Sequence, residues 1–366
     1  MFIYEKPDWP AFRWRDAELL PMLTELRHRQ GRLLGRMEGL GFGLRERAKL
    51  NTFTSDTVAS SAIEGEKLDA EQVRSSIAKR LGIPYAGTAV ASRHIEGVVE
   101  MMLDATQRYG APLTKGRLLG WHASLFPTGY SGTQKITVGG WRTVASGEMQ
   151  VVSGPIGRER VHFQAPPADR MDGHMEAFFK WFNGEQGLDE VLKAGVAHLW
   201  FLTLHPFEDG NGRIGRAIVD LLLARAEHSA DRFYSMSAQI EAERADYYLS
   251  LEAAQRGGLD ITAWLQWFIA CLRRALATAE KQLEETLRKA RAWERINTLP
   301  VNERQRKVIN LLLDGFEGKL TNAKYAKLTK CSHDTALRDL KDLATRGILT
   351  RDEAGGRSTA YLLVEV

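Results

Sequence analysis

The sequence predicts a mainly α-helical protein, and three observations support this prediction. Near the N-terminus, leucines recur at helical spacing with charged residues between them: Leu19, Leu20, Leu23, Leu26, Leu33 and Leu34. An almost continuous apolar run, from Val191 to Leu204, has the length of a buried helix rather than that of a strand. β-prone runs are short, punctuated by glycine, and confined to residues 129–167 and to the C-terminal end.

Composition places the chain among ordinary globular proteins. Its 366 residues are 44% hydrophobic and 26% charged, with a net charge of +4, which excludes a disordered, collagen-like or disulfide-stapled organisation. The two cysteines, Cys271 and Cys331, form no CxxC pair, so we expect reduced thiols. We find neither a secretory signal nor an apolar run of about 18 residues, and therefore expect a cytoplasmic protein without a membrane contact.

Residues 1–110 are predicted to form a helical N-terminal domain. After the first leucine-rich helix, further helices are expected over about 44–61, 68–81 and 90–108, and Gly110-Ala111-Pro112 ends the last one. Residues 111–297 are predicted to form a second domain. Its candidate strands, 149–152 and 161–163, flank Ser-Gly-Pro-Ile-Gly and suggest a hairpin, and helix returns from about Met171.

A smaller unit is predicted over residues 298–366, after the Thr298-Leu299-Pro300 boundary. Three helices are expected at 304–313, 322–328 and 333–346, the last two capped by Thr321 and Ser332 and the third ended by Gly347. The apolar stripe of the third helix is assigned to Leu337, Leu340 and Leu343. Strands at 348–351 and 360–364, around residues 353–357, complete a pattern that resembles a winged helix.

The segment most suggestive of chemistry is His-Pro-Phe-Glu-Asp-Gly-Asn-Gly-Arg-Ile-Gly-Arg, residues 205–216. This polar loop lies between two predicted buried helices and ends at a helix N-terminus, where free N–H groups favour an anion. Gly210 and Gly212 allow the backbone to approach a phosphate closely.

The side chains of this loop suit phosphoryl transfer. Asp209 is a hard carboxylate for Mg²⁺, and Asn211 offers a neutral donor and acceptor for phosphate oxygens. Arg213 and Arg216 share one helix face and can neutralise a polyphosphate. His205, at the end of the preceding helix, can take a proton from an attacking hydroxyl.

The segment resembles the Fic-family motif, HxFx(D/E)GNGRxxR, at every specified position. The resemblance implies a Fic-fold helical core and transfer of AMP from ATP to a Ser, Thr or Tyr hydroxyl of a target protein, with release of pyrophosphate. It also implies His205 as the base, Asp209 on Mg²⁺ and Arg216 on the γ-phosphate. The remaining phosphate-binding residues are then Gly210, Asn211, Gly212 and Arg213. Phe207 is expected to anchor the loop in the core.

Two related chemistries stay open. Doc-type kinases, which resemble Fic proteins, carry Lys where this chain has Gly212, so the pattern favours AMP transfer over phosphorylation. Transfer of another phosphate-linked group is not distinguished by the motif.

Two further segments match the Fic resemblance. The hairpin from Met149 to Phe163 stands where Fic proteins carry a flap that pairs with the target main chain. Downstream, Tyr248 is the stacking candidate for adenine, although relatives often have Asn where this chain has Gln255.

Residues 60–65, Ser-Ser-Ala-Ile-Glu-Gly, fit the inhibitory Fic motif (S/T)xxxE(G/N). From this resemblance we expect Ser60 and Glu64 to act against the catalytic loop. Glu64 would form an ion pair with Arg216 and withhold it from the γ-phosphate. In some Fic proteins the same Glu aligns a water that removes AMP from the target, which would make the enzyme bifunctional.

The N-terminal segment also resembles that of a bacterial Fic subfamily, so the resemblance covers nearly the whole chain.

A competing hypothesis is a DNA-binding transcriptional regulator that uses residues 301–366, with the Fic core as a nucleotide sensor. Those residues include 12 basic and 9 acidic side chains, a small excess for a DNA-binding surface. A homodimer is expected, since small Fic proteins are often dimers.

Overall fold

A computed structural model describes residues 1–153, 158, 160–185, 187–316, 318–352 and 359–364. The chain divides into two compact units, Met1–Ala279 and Glu280–Val366. Among the described residues, none of the helices combines the length and apolarity needed to cross a membrane.

The first unit begins with five helices, several of which pack against later helices of the same unit. They are α1 (Asp16–Glu38), α2 (Phe42–Ile63), α3 (Ala70–Leu81), α4 (Arg93–Gln107) and α5 (Lys115–Leu125). Asp69, Ser92 and Thr114 cap α3, α4 and α5 by accepting hydrogen bonds from first-turn N–H groups. Helices α2, α3 and α4 agree with the predicted spans 44–61, 68–81 and 90–108 to within a few residues, whereas α5 was not predicted.

Two short hairpins interrupt the helices. Strands β1 (Tyr130–Ser131) and β2 (Gln134–Lys135) pair antiparallel, as do β3 (Gln150–Ser153) and β4 (Arg160–Gln164). In the second hairpin Val151 is opposite Phe163, and the register shifts before Val152. The predicted hairpin from Met149 to Phe163 is therefore present, but its predicted turn at 154–157 lies outside the described residues.

The centre of the first unit is an antiparallel helix pair. It consists of α7 (Glu190–Leu204), in which every residue from Val191 to Leu204 is buried, and α8 (Asn211–Glu227). Helices α2, α4 and α5 pack against α8, while α6 and α10 pack against α7. The other helices here are α6 (Met171–Asn183), α9 (Met236–Ala242), α10 (Arg244–Arg256) and α11 (Thr262–Ile296), which continues into the second unit.

The second unit has its own apolar core, formed around Val308, Ile309, Leu340 and Leu343. Its elements are α12 (Glu303–Leu313), β5 (Leu320–Thr321), α13 (Asn322–Thr329), α14 (His333–Thr345), β6 (Leu349–Arg351) and β7 (Ala360–Leu363). The sheet order is β5-β7-β6, antiparallel throughout. The predicted caps are observed: Thr321 and Ser332 accept from Lys324 and Thr335, and Gly347 adopts a φ of 69°.

Two details of this unit differ from the sequence expectation. Leu337 is 36% exposed, and Ala336 takes its place in the buried stripe with Leu340 and Leu343, because these positions follow a spacing of four and then three residues. The two-residue strand β5 was not predicted, since so short a run has no periodicity to read. The segment 353–357 between the last two strands lies outside the described residues.

Candidate active site

The loop that joins α7 to α8 is a tight turn between two buried helices. His205 ends α7 in the left-handed region, with a φ of 48°, and Gly210 precedes α8 with a φ of 84°. A side chain at Gly210 would also bring its Cβ to 3.0 Å from the Phe126 ring. Glycine is required here both for the backbone angle and for the close approach.

Asn211 and Phe207 hold the loop in this shape. The Asn211 side chain accepts from the Phe207 N–H (3.0 Å) and donates to its carbonyl (2.8 Å). The Phe207 ring is fully buried and stacks on His122 with ring centroids 4.1 Å apart. The expectation that Phe207 anchors the loop agrees with this packing. Because the Asn211 amide is occupied by the backbone, its predicted phosphate contact would come from its main-chain N–H at the start of α8.

His205 is oriented by backbone groups of α7. Its Nδ1 lies 3.3 Å from the Leu202 carbonyl, which can only accept, so Nδ1 donates and the lone pair of the neutral ring is on Nε2. Gln255 donates to the same carbonyl, and the Arg142 Nε donates to the carbonyl of His205 at 2.8 Å. Burial is the main cause that lowers the pKa of His205, which keeps the ring neutral near pH 7.

The acidic residues of the loop are held by hydroxyl groups. Asp209 accepts from the Ser131 hydroxyl, and its Oδ1 lies 2.5 Å from the N–H of Gly210. Glu208 accepts from the Thr137 side chain at 2.8 Å and from the Ser146 side chain at 2.6 Å. Burial opposes ionisation of Glu208, but these hydrogen bonds outweigh it and lower its pKa.

Arg216 is buried beneath the end of α2. Its Nε donates to the Ser60 hydroxyl (2.9 Å), and its Nη2 donates to the Ser60 carbonyl (2.6 Å) and lies 2.9 Å from the Glu64 carboxylate. Burial is the largest single influence and acts to lower the pKa of Arg216, but the charge and hydrogen bond of Glu64 together with Tyr247 and Tyr248 outweigh it, and the pKa is raised. The ion pair expected from the Ser-Ser-Ala-Ile-Glu-Gly segment is thus observed.

Gly212 lies directly under Glu64. A Cβ built on Gly212 would stand 2.0 Å from Glu64 Oε1 and 3.2 Å from Arg216 Nη1. The position of the Glu64 carboxylate in this structure therefore depends on the absence of a side chain at residue 212.

Arg213 is engaged by a different carboxylate. Its Nη1 lies 2.8 Å from Glu66 Oε2, and its Nη2 lies 3.9 Å from Asp209 Oδ2. The guanidinium carbon is 5.1 Å from the centre of the Phe126 ring. Glu66 also contacts His94, and the hydrogen bond from that ring is the main cause that lowers the pKa of Glu66.

The two tyrosines of α10 differ in burial. Tyr247 is 1% exposed and its hydroxyl lies 2.9 Å from His198 Nε2, while His198 Nδ1 donates to the Gly215 carbonyl. Burial lowers the pKa of His198 to about 3, so this ring is a neutral link between α7, α8 and α10. Tyr248 is 37% exposed, and its hydroxyl lies 3.4 Å from the Ile63 carbonyl, next to Glu64.

The β3–β4 hairpin is fastened at its β4 side. Glu252 of α10 lies 2.7 Å from His162 Nδ1, and Arg256 donates to the carbonyls of Val161 and His162. Phe163 packs edge-on against Phe2, with centroids 5.1 Å apart. The described part of the predicted flap is therefore fixed to α10 and to the N-terminal residues.

In the described part of the chain, no three His, Cys, Asp or Glu residues converge on a possible metal position. Asp209 still fits Mg²⁺, because this ion is usually held by one or two carboxylates while water and substrate phosphates supply the other ligands. Its side chain is 42% exposed, and its protein partner at Oδ2 is a neutral hydroxyl.

Sequence reasoning missed several residues that shape the site. Arg142 and Ser131 lie far upstream of the loop in sequence, and no motif marks them. For Glu66 there was a signal, since it is a second carboxylate two positions after Glu64. His94 carried no such signal, because it reaches Glu66 only through the packing of α4.

Comparisons with known proteins agree with this geometry. Residues 112–223 match the Fic/DOC family, and residues 2–83 match a domain of unknown function, DUF4172. Proteins named Protein adenylyltransferase Fic from Drosophila melanogaster and Drosophila mojavensis are each 25% identical to this chain, over 245 and 281 residues. The matches cover 64% and 73% of this chain but only 43% and 49% of those relatives.

Solved structures share the fold. A Fic family protein from Desulfovibrio desulfuricans superposes with a TM-score of 0.54 at 23% identity, covering 94% of this chain and 96% of that one. A Fic domain containing signaling protein from Bacteroides thetaiotaomicron gives 0.51 at 20% identity, covering 70% and 96%. Residues 112–223 thus match the Fic/DOC family model, and the chain shares its fold with two solved structures described as Fic proteins.

Proposed function

We propose that this protein is a self-inhibited adenylyltransferase that transfers AMP from ATP to a Ser, Thr or Tyr hydroxyl of a target protein. The observation that carries the proposal is the placement of a neutral His205, with its lone pair on Nε2, beside a helix N-terminus that bears two buried arginines. The name of the Drosophila relatives supports the same activity.

The chemistry needs one proton acceptor and a site for the charge of the triphosphate. The target hydroxyl oxygen attacks the α-phosphorus of ATP while His205 Nε2 takes its proton. The bond between the α-phosphorus and the bridging oxygen breaks, and pyrophosphate leaves. The first N–H groups of α8, together with Arg213 and Arg216, would bind the phosphates, because these groups concentrate positive charge at one end of the helix.

Asp209 is the residue that would hold Mg²⁺. The ion, when bound, would neutralise the charge of the phosphates and of the departing pyrophosphate. The exchange of the Ser131 hydroxyl for a cation costs little electrostatically, because the hydroxyl is neutral.

Self-inhibition is supported by the contacts of Glu64. Ser60 and Glu64 together occupy the Nε and Nη2 donors of Arg216, the edge that would receive two oxygens of a phosphate. ATP would then lack the contact with Arg216 that orients its γ-phosphate. Removal of AMP by a water held at Glu64 is a second activity of the same carboxylate and is part of this proposal.

Gly212 argues against the kinase alternative. The lysine that Doc-type kinases carry at this position would need the space that Glu64 fills.

The other predictions about partners and location remain part of the proposal: a target chain on the hairpin from Met149 to Phe163, adenine on Tyr248, a homodimer, a cytoplasmic location, and DNA or protein on the winged-helix-like residues 301–366.

The experiment that tests the proposal uses the Glu64→Gly variant of the full chain with Mg²⁺ and ATP labelled at either the α- or the γ-phosphate. Transfer of α-label to protein, with release of pyrophosphate and the mass increment of AMP, is expected. Transfer of γ-label alone would instead show a kinase, and transfer of neither label to the protein or to a lysate of cell proteins would overturn the proposal. The His205→Ala form of the same variant is the control.

A further inference from the structure

Glu66 joins the end of α2 to two other helices, through Arg213 of α8 and His94 of α4. Gly65 turns the chain with a φ of 84°, and the Glu66 N–H then donates to the Ser61 carbonyl. The two carboxylate oxygens of Glu66 diverge: Oε2 lies 2.8 Å from Arg213 Nη1, and Oε1 lies 2.5 Å from His94 Nε2. His94 is itself held through Nδ1 by the Leu125 carbonyl at 3.2 Å. Since the Leu125 carbonyl and the Glu66 carboxylate both only accept, His94 anchors the carboxylate from behind when both of its ring nitrogens carry hydrogen.

Glu66 engages only one terminal nitrogen of Arg213. The neighbouring edge of the guanidinium, formed by Nε and Nη2, is nearly free: Nη2 is 3.9 Å from Asp209. Nε is buried and has no acceptor within the described part of the chain. The two parallel N–H groups of the Nε–Nη2 edge can bind two phosphate oxygens at once, and on Arg213 it is the bidentate edge that Glu66 leaves unoccupied. A buried donor without an acceptor costs free energy that a ligand oxygen would recover.

Arg216 shows the opposite arrangement. Its Nε and Nη2 are both occupied, by Ser60 and Glu64, and the nitrogen without an acceptor is Nη1. Two carboxylates from one short segment thus meet two arginines of one helix on different edges. Glu64 covers the phosphate-binding edge of its arginine, whereas Glu66 leaves that edge open.

We propose that Glu66 is a positioning residue for the reaction, which holds Arg213 with its Nε–Nη2 edge directed to the phosphates of the nucleotide. Glu66 and Glu64 then act in opposite directions: loss of Glu64 raises AMP transfer, and loss of Glu66 lowers it. His94 supports Glu66 from the far side and contributes to the same effect to a smaller degree. The inference rests on the proposed function for its kinetic part, but its nucleotide-binding part does not depend on AMP transfer.

The test compares Glu66→Ala and Glu66→Gln in the Glu64→Gly background of the full chain. Calorimetry with Mg-ATP and with adenosine separates phosphate binding from binding of the base and ribose. Glu66→Ala is expected to weaken ATP binding about tenfold, the value of one charge-assisted hydrogen bond, and to leave adenosine binding unchanged. Glu66→Gln keeps an oxygen acceptor for Arg213 and should recover most of the loss. His94→Ala should weaken ATP binding by a smaller factor.

Kinetics provide the second readout. Glu66→Ala should raise the KM for ATP more than it lowers kcat, whereas a partial loss of folding would lower the apparent kcat, leave KM unchanged and lower the melting temperature. Glu100→Ala, which removes an exposed carboxylate from the helix that carries His94, is the matched control and should change neither constant. Unchanged ATP binding in Glu66→Ala, or a rise in AMP transfer, would overturn the inference. If ATP binding responds as expected while no variant transfers AMP, the proposed function fails and this inference stands.

Discussion

The acidic and the basic side chains of the segment from His205 to Arg216 are held by different kinds of partners, and we call these two groups of side chains its acidic edge and its basic edge. On the acidic edge, Glu208 and Asp209 accept hydrogen bonds from the neutral hydroxyls of Thr137, Ser146 and Ser131. On the basic edge, Arg213 and Arg216 face the carboxylates of Glu66 and Glu64. Within the described ranges, the site therefore balances its positive charge with protein carboxylates, while the nearest cationic partner of its acidic residues is Arg213, 3.9 Å from Asp209.

This difference determines how readily each edge accepts a ligand. A neutral hydroxyl can be replaced by a cation or by water without leaving a buried charge uncompensated. Arg216 is 2% exposed, so displacement of Glu64 leaves this buried charge without its carboxylate, and a phosphate in the place of Glu64 would compensate it again. We infer that the acidic edge is ready for Mg²⁺, while the basic edge is the regulated one.

The largest effect is expected at His205, which ends α7 and precedes both groups of side chains. His205→Ala should reduce AMP transfer in the Glu64→Gly background by about 10²–10⁴-fold, the usual contribution of a general base. The melting temperature should be nearly unchanged, because the loop is held by Asn211, Phe207 and Arg142. Initial rates of α-label transfer measure the effect, and a rate near that of the parent would exclude His205 as the base.

The pH profile provides an independent check on His205. Since burial lowers its pKa, the acid limb of kcat/KM should have its midpoint below the ordinary value of 6.5. A midpoint at or above 6.5 would contradict the lowered pKa of His205.

The Glu64→Gly variant removes the carboxylate that occupies Arg216 on the basic edge. Freeing the Nε–Nη2 edge of Arg216 should raise AMP transfer, including modification of the protein itself, by roughly 10–100-fold, which corresponds to a differential of about 1.4–2.8 kcal/mol. Initial rates of label transfer are compared among wild type, Glu64→Gly and Glu64→Gly/Arg216→Ala. The double variant should lose the gain; equal rates for wild type and Glu64→Gly would mean that residues 60–65 are only a helix end.

The Gly212→Ala substitution tests the close approach of residue 212 and Glu64 by its effect on the melting temperature. In the wild type the new methyl group would displace the Glu64 carboxylate and weaken its ion pair with Arg216. In the Glu64→Gly background that conflict is absent, and alanine within a helix is favoured over glycine by up to about 1 kcal/mol. The substitution should therefore lower the melting temperature of the wild type and leave that of Glu64→Gly unchanged or higher. Equal shifts in the two backgrounds would contradict the contact.

The smallest effect is expected at Ser131, whose hydroxyl donates to Asp209 on the acidic edge. Ser131→Ala should change AMP transfer by less than about tenfold, because a neutral hydrogen bond contributes roughly 0.5–1.5 kcal/mol and water can replace it. Asp209→Ala is the matched comparison and should abolish Mg²⁺-dependent transfer. Rates are measured across a Mg²⁺ titration, and a comparable loss in both variants would show that the hydroxyl is as necessary as the carboxylate.

The helical class, several of the helices and the loop between α7 and α8 were predictable from the sequence, whereas α5 was not. These features depend on local rules: leucine spacing, capping residues such as Ser332, and a run of specified residues that leaves little freedom in the loop. The pairing of Glu64 with Arg216 was also predictable, because two motifs named both partners. The exposure of Leu337 and the strand β5 escaped prediction because burial and pairing are decided by neighbouring elements.

Tertiary structure alone decided which edge of each arginine is occupied. His94 reaches Glu66 from α4, Ser131 reaches Asp209 from a hairpin, and Arg142 reaches His205 from a loop more than sixty residues upstream. No spacing rule connects residues so far apart in sequence, since their approach depends on how the helices pack around α7 and α8. Both Glu64 and Glu66 are visible in the sequence as carboxylates near two arginines. Only the packed structure distinguishes the carboxylate that covers a phosphate-binding edge from the one that leaves it open.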